Sequence, residues 1–129
     1  VRRGTKIEMS LGDAIDRVSI LARKIHFGEN GASNEFRYLT ESIEKLDIKL
    51  TGGLLDAIIK ITSSNIDIWN LENEIRKLGD PVAKLGLEEI GRRAMAIRDL
   101  NRHRVRSKSE INRMSEMGFR EFKINHRSQ

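Results

Sequence analysis

The sequence predicts an all-α protein, an antiparallel four-helix bundle with two shorter and two longer helices, and three observations carry that expectation. Apolar residues recur at steps of three and four through most of the chain, the spacing that lines one face of a helix. The apolar set is 38% of the residues with only 5% aromatics, so a core must be built from the aliphatic side chains that pack between helices. The clearest breaks, Gly28 with Asn30-Gly31, Gly52-Gly53 and Gly79-Asp80-Pro81, fall between the periodic segments.

A chain of 129 residues is of single-domain size and can bury a core without staples. One helical domain over 1–129 is expected, with 1–9 and 119–129 as extended ends. The absence of cysteine excludes thiolate zinc sites and a cysteine nucleophile.

The first helix starts at Ser10, an N-cap with Asp13 three residues on, and carries Ile15, Val18, Leu21, Ala22 and Ile25. It is expected to end near His26, before Gly28. Ser33 is expected to cap the second helix, whose apolar positions are Phe36, Leu39, Ile43, Leu46 and Leu50, with Gly52-Gly53 as its stop. A third helix runs from about Leu54 to Leu78, with Leu54, Ile58, Ile61, Ile68 and Ile75 inward. The fourth, from about Leu87 to Met117, keeps Ile90, Ala94, Ile97, Leu100, Ile111 and Met114 on one broad face, and Asp80-Pro81 either opens it early or caps a separate turn. The two longer helices should leave an overhang available for self-association. Phe119, Phe122 and Ile124 show partial alternation, which places the tail extended across the bundle beside Lys6 to Met9.

The most nearly apolar stretch, Leu54 to Ile61, is interrupted by Asp56 and Lys60 and is too short to span a bilayer. No signal-type apolar run follows the basic residues of 1–9, so a cytoplasmic location away from membranes is expected. The net charge of +5 is uneven: residues 92–129 hold eleven Lys/Arg against four Asp/Glu, and the rest of the chain is slightly acidic.

On a wheel at about 100° per residue the first two helices are clean. In the third, Asn65, Glu72 and Arg76 fall inside the apolar stripe, with Thr62 and Trp69 on its flank. In the fourth, Asn101, Arg104, Lys108 and Asn112 occupy the same arc as Ile90, Ala94 and Ile97. An antiparallel pairing would set Glu72 level with Arg93, and Asn65 near Asn101 and Arg104. Burying an unpaired charge costs several kcal/mol, so such a seam must close internally, reach water through a cleft, or pair across a subunit interface. The cleft alternative would take an anionic metabolite such as a nucleotide sugar, with Arg76, Arg104 and Lys108 as clamp and Trp69 as wall. Candidate ligand-binding residues are therefore Asn65, Trp69, Glu72, Arg76, Asn101, Arg104 and Lys108. No catalytic residue, metal ligand or cofactor is assigned.

Asn65, Ile68-Trp69, Glu72 and Arg76, followed by Ile97, Leu100-Asn101 and Arg104, resemble the motif Asn-x-x-Leu-Trp-x-x-Glu-Asp-x-x-Arg and Ile-x-x-Leu-Asn-x-x-Arg of an uncharacterised bacterial helical family, a domain of unknown function. The resemblance covers the third and fourth helices, and Asn73 stands where the family has its second acidic residue. Members of that family are often encoded near genes for surface-polysaccharide assembly, so the resemblance implies a sugar-nucleotide ligand or a glycan-assembly protein as partner.

Other chemistry has little support. His26, His103 and His126 lie far apart and in no zinc-binding spacing. Glu41/Glu44, Glu72/Glu74 and Glu88/Glu89 do not form the carboxylate cluster of a magnesium-dependent pyrophosphohydrolase. Gly52-Gly53 lacks the residues of a phosphate loop, and no nucleophile elbow is present. The basic residues of the fourth helix scatter around its circumference among Asp99 and Glu110, which disfavours nucleic acid. The expectation is an oligomeric helical binding protein rather than an enzyme. The alternatives are an enzyme acting on a nucleotide or sugar phosphate, with Glu72 as acid/base, and a basic-surface nucleic-acid-binding protein.

Overall fold

A computed structural model describes residues 5–115 and 122–126, with side chains from Met9 to Ser115. It is a helical structure of strand β1 (Thr5–Met9), helix α1 (Leu11–His26), a 3-10 turn at Asn30–Ala32, α2 (Ser33–Glu44), α3 (Gly52–Arg76), α4 (Pro81–Met114) and strand β2 (Phe122–His126). The four helices hold 16, 12, 25 and 34 residues. No helix among the described residues is long and apolar enough to cross a membrane.

Each helix start has a local cause. Ser10 caps α1, its hydroxyl accepting from the Asp13 N–H at 3.1 Å. Thr51 caps α3 in the same way through the Leu54 N–H, so Gly52 and Gly53 form the first turn of α3 rather than a stop after α2. Asp80 caps α4 through the Ala83 N–H, with Pro81 at the first helical position. The early start at Pro81 is thus real, but Gly86, at φ 80° and ψ 159°, breaks the helix before Leu87.

The second helix departs most from expectation. Ser33 lies inside the helix, which follows a 3-10 turn and has no side-chain cap, and the helix stops at Glu44. Asp47 then takes a positive φ of 50°. The chain beyond leaves the helical path, so Leu46 and Ile48 still pack on the core while Leu50 is 62% exposed. The periodic pattern places Phe36, Leu39, Ile43 and Leu46 correctly, passes over Ile48, and sets Leu50 inward where the turned backbone exposes it.

Two apolar clusters hold the helices. Leu11, Leu54, Ala57, Ile61 and Ile111 join α1, α3 and α4, with Ile15, Ile43 and Met114 against them. Leu21 and Leu39 join α1 to α2, with Val18 and Phe36 alongside. Contacts between α1 and α4 proceed in opposite chain directions, Asp13 meeting Lys108 and Asp16 meeting Arg104. Contacts between α1 and α3 proceed together, Asp16 meeting Asn65 and Arg23 meeting Asn70.

β1 and β2 pair antiparallel, with Ile7 opposite Ile124 and Met9 opposite Phe122. The chain thus returns to the segment where the alternation of the tail placed it, although the strand begins at Phe122, and Phe119 and Met117 lie outside the described residues.

α1 ends at the level of Trp69, whereas α3 and α4 continue past it. Within Pro81–Met114 no residue before Ser107 is buried, and none in α3 after Ile68. A two-helix overhang results, with Val82, Leu87 and Met95 49%, 75% and 55% exposed.

α1 and α4 approach closely at Gly12, where a Cβ would stand 2.5 Å from the Lys108 backbone carbonyl oxygen. Gly12→Ala must push α1 off α4. Chemical denaturation should show a loss of about 2 kcal/mol, and the Tm should fall by roughly 8 °C.

Candidate functional site

Three of the polar residues picked out on α3 and α4, Asn65, Arg104 and Lys108, converge on a side chain from α1. Asp16 has a side chain only 6% exposed. Its Oδ1 accepts from Arg104 Nε at 2.8 Å and from Asn65 Nδ2 at 2.8 Å, and its Oδ2 accepts from Arg104 Nη2 at 2.6 Å. Lys108 Nζ lies 3.7 Å from the same Oδ2 and 3.2 Å from Asp13 Oδ1. Asn65 Nδ2 also donates to Ser19 Oγ at 2.8 Å, and that hydroxyl donates back to the Asp16 carbonyl. One turn away, Asn112 Oδ1 accepts from the Gly12 N–H at 2.7 Å, so α4 caps a free donor at the start of α1.

This corrects the reading of α1 as clean. Gly12, Asp16, Ser19 and Arg23 follow one another at steps of four, three and four, the spacing of a helix-packing seam written in small and polar residues. That stripe lies beside the apolar one and faces α3 and α4. Counting apolar positions alone passes over it, because Asp16 interrupts no apolar run.

The electrostatics follow from the geometry. Burial alone would raise the Asp16 pKa, but the hydrogen bonds from Arg104 and Asn65, together with the charges of Arg104 and Lys108, outweigh it and hold the carboxyl below its ordinary value. The same pairing with Asp16 raises the Arg104 pKa further, with smaller aid from Asp13 and Glu72.

The remaining predicted residues are divided. Trp69 is half-buried and stacks on Phe27, ring centroids 5.4 Å apart, with the Arg23 guanidinium 3.9 Å from its centroid. It is thus committed to the end of α1. Asn101 is half-buried, while Glu72 and Arg76 lie on the exposed side of α3. Arg93 pairs with Glu74 at 3.2 Å and with Glu89 at 3.2 Å, where Glu72 was the expected partner. Glu74 remains largely exposed but reaches across the overhang.

Seven of the nine cations of α4 sort into two sets, with Lys84 and Arg92 apart from both near its start. Arg93, Arg104 and Lys108 face the neighbouring helices and their acids. Arg98, Arg102, Arg106 and Arg113 lie outward, within an arc of about 80° at 100° per residue. The scatter seen on the wheel is the sum of these two sets. Asp99 and Glu110 flank the outward one, Glu110 pairing with Arg113 at 2.6 Å.

On the side away from α1, an open groove of about 680 Å³ runs between α3 and α4. Its rims carry Asp56, Lys60 and Asp67 on α3 and His103, Arg106 and Glu110 on α4. Among the described residues no three His, Asp or Glu side chains gather as a metal site.

No family model matches the chain, and comparisons with curated proteins and with solved structures find no match.

The folded-state pKa of Asp16 is depressed, so its contribution to stability is complete above the ordinary aspartate value of 3.8 and is lost as the pH falls through the lower folded value. Asp16→Asn should cost about 2–3 kcal/mol at neutral pH, because it leaves Arg104 without its counter-charge. The variant should then lose less stability than the wild type between neutral pH and pH 3, as measured by urea denaturation across that range.

Proposed function

We propose that the protein acts by binding, as an oligomer, and that the Asp16 network is the spine that keeps its binding faces in register. The observation supporting this is the bidentate pairing of Arg104 with the buried Asp16. The strongest cation of the seam already has an anion, supplied by the chain itself, so the network serves to position helices. We read the arrangement as an antiparallel four-helix bundle with two shorter and two longer helices. Its contact surface is the side of α3 and α4 left uncovered by α1. Sedimentation of the purified chain should show species larger than the 14.8 kDa monomer that dissociate on dilution. A monomer at every concentration, with no partner bound, would overturn the reading.

A second reading keeps the seam as a ligand site. The Arg104 and Lys108 side chains retain 28% and 25% exposure, so an anion can reach their outer edge while Asp16 holds the inner one. The resemblance to the polysaccharide-associated family suggests a nucleotide sugar or a glycan-assembly protein as the partner. On this reading a nucleotide sugar at about 100 times its Kd adds about 2.7 kcal/mol of stability. A thermal-shift titration should then show a rise in Tm for the wild type that Lys108→Ala removes. An unchanged Tm across a panel of nucleotide sugars would rule the ligand site out and leave the first reading standing.

A further inference from the structure

We infer that the open face of α3 is the seam of a two-fold homodimer in which α3 packs antiparallel against α3 of a second copy; this rests on the reading above that the protein acts by association. The face consists of Gly52, Leu55, Ile59, Thr62, Ile66 and Trp69, spaced three, four, three, four and three residues apart. That is the alternation of a helix-pairing seam. None of the six is buried, and Leu55, Ile59 and Ile66 are 45%, 56% and 39% exposed, high for aliphatic side chains in the middle of a helix. α1 packs along the adjoining flank of α3 through Asn65 and reaches the end of the stripe at Trp69, which it holds through Phe27 and Arg23.

The second copy is specified by the symmetry of the stripe. Reversed about the point between Lys60 and Ile61, it maps onto itself: Gly52 exchanges with Trp69, Leu55 with Ile66, and Ile59 with Thr62. A two-fold contact requires this reciprocity. Each layer then matches large with small or two of similar size, and the edge of the partner's Trp69 that Phe27 and Arg23 leave open lies over Gly52, where a side chain would meet nothing within 4 Å. A parallel pairing would set glycine on glycine and tryptophan on tryptophan, and no such fit results.

Charge supports the same register. Lys60 and Glu110 sit on facing rims of the groove, close enough for each to influence the other. Because α4 runs opposite to α3, the reversal brings Arg106 to about the level of the partner's Asp56 and Glu110 to about that of the partner's Lys60. Both pairs are of opposite sign. The stripe spans about 26 Å at 1.5 Å per residue. A contact confined to one helix face is small, so the dimer should exchange with monomer within the concentrations that sedimentation samples.

Sedimentation velocity from roughly 1 to 500 µM is the test. The wild type should pass from monomer to dimer, and Ile59→Asp should weaken dimerisation by about 30-fold or more with unchanged helical circular dichroism. Arg106→Asp should also weaken it, and adding Asp56→Arg to the same chain should restore it. The chain has no cysteine, so a spin label at Lys77→Cys reports direction: two copies paired antiparallel place the labels about 50 Å apart along the helix axis. A dimer that survives Ile59→Asp, or labels close together, overturns this pairing and leaves the association reading intact. A monomer throughout overturns both.

Discussion

A carboxylate withdrawn from water must be met by donors, and Asp16 draws its donors from α3 and α4 at once. Asn65 approaches from one helix and the Arg104 guanidinium from the other, with Lys108 behind it. The two long helices are thereby set at a fixed height against α1 as well as against each other. An apolar contact tolerates sliding by a fraction of a turn, but a bidentate guanidinium with an amide on the same oxygen does not. The Gly12 contact and the Asn112 cap extend this constraint one turn toward the start of α1. The apolar clusters around Leu11 and Ile61 supply cohesion on a frame whose alignment the polar groups determine.

Much of the helical plan could be read from the residues, because caps and periodicity are local signals. Ser10 caps α1 as the pattern required, and Gly79-Asp80-Pro81 lies between the two long helices. The second helix is overextended in the sequence reading because Leu46 and Leu50 keep a helical spacing past its end at Glu44, and periodicity does not register that the backbone turns at Asp47. Likewise Gly52-Gly53 reads as a stop when taken alone. The hydroxyl of Thr51, accepting from the Leu54 N–H, makes it a beginning.

The candidate site was half legible for a similar reason. Asn65, Arg104 and Lys108 stood out as polar residues in apolar company, and they do share one network. Their common partner did not stand out, because α1 carries two adjoining stripes and only the apolar one is visible to a hydrophobicity count. Glu72 and Arg76 share the angular range of the inner stripe, yet they belong to the part of α3 that has outrun α1. An angle on a wheel determines burial only where another helix is present to bury it.

The overhang divides the molecule thermodynamically. Among the described residues, the long helices below Trp69 are clasped by α1, the ionic network and the apolar cluster around Leu11 and Ile61; above it they have each other, half-buried side chains and surface ion pairs such as Arg92 with Glu88. Backbone amides there are sheltered by far fewer buried contacts, and Gly86 lowers the barrier to bending by interrupting the helix within the distal arm. The two ends of one helix pair therefore differ in local stability, and the distal arm, with few buried side chains to guard it, is the less firmly held of the two.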